Sequence, residues 1–317
     1  MAVSVCMVRF PSWCVAGFVL RTVFIGRNPR DFTDDRANGF MCDIGRPEPH
    51  SRRRSAPRLA VMRQHETGHP AWTANDLERN PHAVSDKALR VQRMFTSIAH
   101  AYDLNNRLHS FWRDQAWRRA AVRMTEPVDG ARVLDCACGT GDLTEAFANA
   151  GAKCVTGLDY TAAMLDLAKA KSVDGRRLAV QPTYVQGDAQ SLPWADGSFD
   201  IVSIAFGIRN VDDTLKALRE FHRVLAPGGR LVVLEFGEPS FAPLRWFNRL
   251  YTHHLMPFTA SLIARDRSGA YRYLPRSVET YLSPERLRSQ VDEAGFVEIR
   301  QQRMTFGVCV GTVGIKR

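Results

Sequence analysis

The sequence lacks the patterns that mark two large classes of protein, zinc-binding proteins and membrane-spanning proteins. Its seven cysteines form no paired Cys-x-x-Cys motifs, because Cys136 and Cys138 are separated by a single residue. The apolar run from Phe10 to Ile25 is broken by Pro11 and Arg21, whereas a membrane-spanning helix needs about 20 apolar residues. We therefore expect no metal site, no transmembrane helix, and reduced cysteines in a cytoplasmic protein.

Two phosphate-binding signatures are also missing. The loop Gly139-Thr140-Gly141 joins an apolar stretch to a helical one, as in dinucleotide-binding folds. However, Thr144 stands where that fingerprint has its third glycine, and no Gly-Lys-Ser/Thr of a P-loop follows. Asp135 and Asp142 flank the loop and would repel phosphates. We therefore expect S-adenosylmethionine, a sulfonium without phosphate, with Asp135 contacting its cationic amino-acid portion.

An acidic residue at the end of the next apolar stretch supports a nucleoside ligand. Asp159 ends the stretch that begins at Lys153, 20 residues after Gly139. A carboxylate in this place can accept hydrogen bonds from both hydroxyls of a ribose. The alternative role for Asp159 is to cap the helix that follows.

Basic residues outnumber acidic ones, 43 to 33, which leaves a net charge of +10. This charge suits nucleic acid or an anionic membrane surface. The globular part has no tract of Lys and Arg with interleaved aromatic residues, so we expect no nucleic-acid partner.

Residues 1–84 differ in composition from the rest of the chain. No Asp or Glu precedes Asp31, as in a targeting segment, and residues 46–54 are rich in Arg and Pro. We predict a disordered extension, which is either a targeting segment or the result of a start codon assigned upstream of a true start at Met62. The folded domain is then expected at 85–317.

From Ser85 onward the pattern predicts helices followed by alternating strands and helices. The first helix would bury a face made of Leu89, Met94, Phe95, Ile98, Ala99 and Tyr102, and a second helix would run from Phe111 to Met124. Strands are expected at 131–137, 153–159, 182–187, 199–206, 229–236, 297–303 and 307–316, and further helices at 142–150, 162–172 and 212–225. This order predicts an α/β fold with a doubly wound, mostly parallel seven-stranded sheet, closed by an antiparallel hairpin.

Several segments together resemble one family. They are Tyr102-Asp103-Leu104-Asn105-Asn106, the glycine loop, Tyr184–Ala189, Phe206-Gly207-Ile208-Arg209-Asn210-Val211 and Arg223–Arg230. Through them, residues 88–317 resemble the ubiquinone/menaquinone biosynthesis C-methyltransferase family, and the Phe-Gly-x-Arg-Asn segment is the most specific. The chain departs from the family pattern at Ala101, Asn105 and Ala205, where Lys, Met and Ser are usual.

The resemblance implies a class I S-adenosylmethionine-dependent methyltransferase of Rossmann-like fold that methylates a ring carbon of a polyprenyl quinol. The form Cys-Ala-Cys-Gly-Thr-Gly of the loop favours the menaquinone branch, and hence demethylmenaquinol, over the ubiquinone branch. The implied cofactor-binding residues are Asp135, Gly139, Thr140, Gly141, Asp159, Asp188, Ala189 and Ala205.

The implied chemistry needs no metal, because the sulfonium methyl group is already electrophilic. The ring carbon becomes nucleophilic when a phenol of ordinary pKa near 10 loses its proton. Arg209 would stabilise the phenolate and Asn210 would orient a hydroxyl, while His254 and Tyr102 are candidate bases or hydrogen-bond partners. The alternative for Arg209 is a structural ion pair with Asp212 or Asp213.

The apolar, aromatic segment from Phe241 to Ile263 is expected either in the core or as a lid over a polyprenyl entrance. We expect a cytoplasmic protein that can contact the inner face of the membrane peripherally. The sequence does not decide between a monomer and a homodimer. Two other functions stay open as well. They are methylation of another lipophilic small molecule, and service as a cofactor-binding scaffold without catalysis.

Overall fold

The computed structural model describes residues 70–78, 80–173 and 178–317. The described residues form a seven-stranded sheet with the strand order β3-β2-β1-β4-β5-β7-β6. The strands are β1 Arg132–Cys136, β2 Cys154–Asp159, β3 Thr183–Gln186, β4 Phe199–Ala205, β5 Leu225–Phe236, β6 Val297–Met304 and β7 Cys309–Ile315.

The first five strands in the chain pair in parallel, and β7 inserts antiparallel between β5 and β6. The α-helices of the described residues are α1 Ala74–Glu78, α2 Lys87–His109, α3 Arg113–Met124, α4 Asp142–Asn149, α5 Ala162–Val173, α6 Thr214–Val224, α7 Ala242–Leu250, α8 Met256–Ala264, α9 Ala270–Glu279 and α10 Pro284–Glu293. The predicted fold class is therefore confirmed.

The central strands are buried on both faces, which explains their continuous apolar runs. Leu134, Phe199 and Phe221 belong to the core on one face, together with α6 and α10. Trp117 and Phe147 belong to the core on the other face, on α3 and α4. A third cluster joins α2, α8 and α9 near the carboxyl ends of the strands.

Three local predictions need correction. Leu89 is 48% exposed, because the buried face of α2 runs through Val91, Met94 and Ile98 instead. Helix α3 starts at Arg113 rather than at the predicted Phe111, because the backbone before it is left-handed, with φ of 52° and 59° at the two preceding residues. Strand β5 already begins at Leu225, so the Pro-Gly-Gly turn lies within it.

The domain also begins before the predicted boundary at Ser85. The side chain of Trp72 is fully buried and stacks on Tyr273 with 4.5 Å between ring centroids, and its amide donates to the carbonyl of Ser268. His82 Nε2 lies 2.9 Å from the carbonyl oxygen of Ser277. Residues 1–69, including Met62, lie outside the described residues.

Among the described helices, none has both the length and the apolar character needed to span a membrane.

Candidate active site

A cavity of about 200 Å³ lies where β1, β2, β3 and β4 end. Seven of the predicted cofactor-binding and catalytic residues border it, and they come from four separate strand ends and from α2. They are Tyr102, Gly139, Asp159, Asp188, Ala189, Ala205 and Asn210. In a doubly wound sheet, ligands bind at this edge.

The glycine loop reaches this cavity through its first glycine only. Gly139 has a φ of +56°, and an added Cβ would have no heavy atom nearer than 3.9 Å, so its face is open. At Gly141 an added Cβ would lie 2.5 Å from the hydroxyl of Tyr184, so this glycine is needed for packing. The hydroxyl of Thr140 donates to Asp103 at 2.5 Å. Thr140 and Gly141 do not border the cavity, and their cofactor contacts stay predictions.

Asp159 borders the cavity and also organises the backbone around it. One carboxylate oxygen accepts from the amide of Gly139 and the other from the amide of Thr161, both at 2.8 Å. Burial raises the pKa of Asp159, and these backbone hydrogen bonds oppose that rise. The hydroxyl of Thr161 and the amide of Tyr160 also favour the ionised carboxylate, which has about four acceptor positions in all.

Asp135 does not border the cavity, and its predicted contact with the amino-acid portion of the cofactor stays a prediction. It is 1% exposed, and its two oxygens accept hydrogen bonds from the hydroxyls of Thr144 and Ser203, both at 2.7 Å. Burial raises the pKa of this carboxyl to about 6. Asp135 therefore ties β1 to β4 and α4 beneath the loop.

The charges around the cavity distinguish between ligand classes. Asp159, Asp188 and Asp212 border it, and none of the described residues that line it is Lys, Arg or His. Apolar side chains, among them Val91, Leu158 and Met164, supply walls for an aromatic base. These residues fit S-adenosylmethionine, which carries positive charge, and do not suit the phosphates of a dinucleotide.

A second, larger cavity of about 530 Å³ adjoins the first one. It lies between α2, α3, the segment from α7 to α9, and the ends of β4 and β5, and it shares Phe95, Tyr102 and Phe206 with the smaller cavity. Phe206 adopts a left-handed backbone with φ of 58°, a costly conformation that often occurs at functional sites. Its position lets one aromatic ring border both cavities.

Arg209 borders the larger cavity and is 4% exposed. Its guanidinium donates to Glu235 Oε1 at 2.9 Å and to the carbonyl of Phe206 at 2.6 Å. The predicted alternative of an ion pair with Asp212 or Asp213 is therefore wrong about the partner. Glu235 Oε2 is buried without a hydrogen-bond partner among the described residues.

The remaining predicted catalytic residues differ in their placement. Asn210 accepts a hydrogen bond from the hydroxyl of Tyr273 at 2.9 Å. Burial raises the pKa of Tyr102, so this phenol stays protonated at neutral pH and suits a donor rather than a base. His254 is exposed and borders neither cavity, and its role stays a prediction.

Residues 83–316 match the model of the ubiE/COQ5 methyltransferase family. The chain belongs to this family. The predicted resemblance is thereby confirmed, together with S-adenosylmethionine-dependent C-methylation in quinone biosynthesis as the function at the level of the family.

Two curated relatives cover similar parts of this methyltransferase. A demethylmenaquinone methyltransferase of Thermus thermophilus is 46% identical over 223 residues, which are 70% of this chain and 99% of the relative. A ubiquinone/menaquinone biosynthesis C-methyltransferase of Cronobacter sakazakii is 39% identical over 230 residues, 71% of this chain and 90% of the relative. A solved S-adenosylmethionine-dependent methyltransferase of Thermotoga maritima shares the fold, with a TM-score of 0.51 and 20% identity over 71% of this chain and 99% of that one.

Sequence reasoning missed a polar network in this methyltransferase that joins α2 to the glycine loop. Lys171 donates to Asp103 at 2.8 Å and to Asp142 at 2.9 Å, and Arg107 donates to Asp142 at 2.7 Å. Burial would raise the pKa of Asp142, but the positive charges of Arg118, Lys171 and Arg107 hold it well below the usual range. Because these residues are far apart in the chain, no local pattern signals their contact.

His109 was also missed. It borders the larger cavity, and its Nδ1 lies 2.9 Å from the hydroxyl oxygen of Tyr251. Burial lowers its pKa, so the imidazole is neutral at pH 7. A single histidine near the end of a helical pattern carries no signal that would separate it from a surface residue.

The segment from Phe241 to Ile263 is only partly in the core. Met256 and Ala260 of α8 are buried, and Ala260 belongs to the third core cluster, whereas most of the large apolar side chains lie outside the core. Six of its large apolar side chains are 46% to 70% exposed: Trp246, Phe247, Leu250, Leu255, Phe258 and Leu262. Tyr251, Thr252 and Met256, from the same segment, border the larger cavity.

Proposed function

We propose that this methyltransferase converts demethylmenaquinol to menaquinol. The main support for this proposal is that a cavity suited to S-adenosylmethionine adjoins a larger cavity with aromatic walls. Tyr102 and Phe206 border both cavities. The name of the Thermus thermophilus relative, at 46% identity, supports the menaquinone branch. The ubiquinone-pathway benzoquinol is the second candidate substrate, supported by the name of the Cronobacter sakazakii relative.

The residues of the smaller cavity would hold the cofactor. Asp159 would accept hydrogen bonds from the ribose hydroxyls, and Asp188 and Ala189 would border the adenine. Gly139 would let the loop backbone approach it closely. When bound, S-adenosylmethionine supplies an electrophilic methyl group that needs no further activation.

The chain itself would favour the phenolate form of the quinol. Arg209 carries a fixed positive charge, and Glu235 holds it in place through their ion pair of 2.9 Å. Tyr102 would donate a hydrogen bond to the phenolic oxygen. Such preorganised donors stabilise charge that develops in the transition state, and they are most effective where water is excluded.

The exclusion of water follows from the walls of the larger cavity. Aromatic residues from three different elements, Phe95, Trp117 and Phe236, border it. Much of the rate enhancement would then come from holding the ring carbon and the methyl donor together.

Two other assignments have less support. A scaffold without catalysis would have no need of a second cavity joined to the cofactor cavity. Methylation of a different lipophilic compound fits the same walls, and only turnover separates it from the proposed reaction.

A polyprenyl quinol is dissolved in the lipid bilayer, so we also propose that the enzyme acts at the cytoplasmic face of the membrane.

Turnover of purified enzyme with a set of acceptors tests the substrate. We expect mass spectrometry to detect methylation of demethylmenaquinol at a higher kcat/KM than that of the benzoquinol or of a simple lipophilic phenol. A preference for the benzoquinol would assign the ubiquinone branch. Methylation of the phenol alone would overturn the proposal.

A further inference from the structure

An exposed apolar stripe runs along α7 and α8. It consists of Trp246, Phe247, Leu250, Leu255, Phe258 and Leu262, and we call it the apolar stripe. Scattered exposed apolar residues are normal, but a contiguous set of large ones marks an interaction surface.

The stripe stays on one side of the segment because of a π-helical turn. Residues Tyr251–Leu255 form this turn between α7 and α8. Trp246 and Phe247 lie four and three residues before Leu250, and Phe258 lies three residues after Leu255 and four before Leu262. From Leu250 to Leu255 the spacing is five. A π turn accommodates one extra residue, so Leu255 continues the face that Leu250 ends. Pro257 lacks an N–H group, which disfavours a regular helix here.

Further aromatic side chains lie beside the stripe. Phe111 and Trp112, in the left-handed turn before α3, are 73% and 59% exposed. The ring of Phe111 lies 6.1 Å from that of Tyr251, at the junction of α7 and α8. Tryptophan and phenylalanine are typical of surfaces that insert into the boundary between lipid headgroups and acyl chains.

The charge of the segment points to the nature of its partner. Residues 241–265 contain three arginines, two histidines and no Asp or Glu. Arg249 pairs with Glu238 and His253 with Glu279, so the arginine charges that remain for lipid contact are those of Arg245 and Arg265. Arginine beside exposed aromatic residues complements anionic lipid headgroups, and the chain as a whole has a net charge of +10.

The opposite side of the segment that contains α7 and α8 faces the larger cavity. Asn248, Thr252 and Met256 border that cavity, whereas the residues of the stripe do not. A surface on which the apolar stripe docks would therefore lie next to the larger cavity.

We propose that the apolar stripe, with Phe111 and Trp112, docks the enzyme on a bilayer that contains anionic lipids. The prenyl chain of the quinol then enters the larger cavity from the membrane along α7 and α8. This inference rests on the proposed function and adds the surface, the lipid chemistry and the route.

Vesicle binding by the full chain tests the inference. The variant Trp246→Ser/Phe247→Ser/Leu250→Ser removes the first half of the stripe, and these residues border neither cavity. Val173→Ser, at an 83% exposed position on α5, is the matched control. Cosedimentation would use phosphatidylcholine vesicles with and without phosphatidylglycerol.

We expect the parent to bind the anionic vesicles more tightly than the neutral ones, and less tightly at high salt. The triple variant should bind at least about tenfold more weakly, as expected for loss of inserted apolar area. Val173→Ser should bind like the parent. The triple variant should also methylate a water-soluble quinol with a shortened prenyl chain within about twofold of the parent rate, since neither cavity changes.

Equal vesicle binding by the triple variant and the parent would overturn the inference. So would a parent that binds no vesicles and forms a dimer that the triple substitution dissociates, because the stripe would then be a contact between two copies. If the parent did not methylate the soluble quinol, that result would contradict the proposed function instead. Vesicle binding is measured independently of turnover, so the two failures can be distinguished.

Discussion

At the residue scale, the ion pair of Arg209 and Glu235 combines two buried charges, of which Arg209 borders the larger cavity. Both side chains are at most 5% exposed. Removing one partner of such a pair costs about 3–5 kcal/mol of stability, because the other charge is left buried without compensation. Any test of Arg209 therefore has to separate folding from catalysis.

Arg209→Ala is expected to lower kcat by about two orders of magnitude, by analogy with the loss of one oxyanion donor. Affinity for S-adenosylmethionine should stay nearly unchanged, because Arg209 borders only the larger cavity. Rates would be measured per folded molecule, and Arg209→Lys should recover only part of the activity, because ammonium and guanidinium differ in geometry. Arg219→Ala, in an exposed pair with Glu293, is the control. Unchanged kcat per folded molecule would restrict Arg209 to a structural role.

Asp159→Ala should weaken the binding of S-adenosylmethionine by roughly 1–3 kcal/mol, as expected for lost hydrogen bonds to a charged group. The substitution also removes the acceptor for the amide of Gly139, so part of the loss would come from the loop. Calorimetry with Asp166→Ala as the control would measure the effect, since Asp166 is exposed on α5. Parent-like affinity would remove Asp159 from the cofactor site.

Asp135 predicts a specific dependence of stability on pH. Its pKa is raised to about 6 by burial, against about 4 in an unfolded chain. The folded chain thus binds this proton more tightly, so the contribution of Asp135 to the free energy of unfolding falls as pH rises from about 4 to about 6. This decrease in the free energy of unfolding amounts to at most about 3 kcal/mol, and it should be absent in Asp135→Asn. Denaturant unfolding at several pH values would measure it, and parallel profiles for parent and variant would contradict the assignment.

At the element scale, strands were easier to predict than helix boundaries and contacts. Strands β1, β2 and β4 are buried on both faces, so their apolar runs stand out in the sequence. The start of α3 depends on two left-handed residues, Phe111 and Trp112, for which side-chain type gives no warning. The exposed face of α7 could not be distinguished from a buried one, because periodicity identifies an apolar face and not its partner.

The N-terminal elements carry a testable consequence. Trp72 is fully buried against Tyr273, although the sequence placed it in an extension. Trp72→Ala should therefore lower the free energy of unfolding by about 3–5 kcal/mol. A chain that starts at Ser85 should be destabilised at least as much, and one that starts at Pro70 should not. Denaturant unfolding would compare them, and equal stability of the two shortened chains would show that residues 70–84 do not support the fold.

At the scale of the whole molecule, the cofactor edge was predictable and much of the surrounding architecture was not. Gly139, Asp159 and Asp188 lie at or just after the ends of successive strands, so the rule that parallel strands end at one edge placed them together. The pairing of Arg209 with Glu235 and the contacts of Lys171 with Asp103 join distant parts of the chain, and only the folded structure reveals them. The same holds for the exposed position of His254, which borders neither cavity.

The central claim is that this chain methylates the ring of a polyprenyl quinol, and the quinone pool of a strain that lacks its gene tests it most directly. Mass spectrometry should detect demethylmenaquinone, lighter than menaquinone by one methylene unit, in place of the mature quinone. Expression of the parent chain should restore menaquinone, and expression of Arg209→Ala should restore much less. A pool that keeps its fully methylated menaquinone and ubiquinone without the gene would contradict the account.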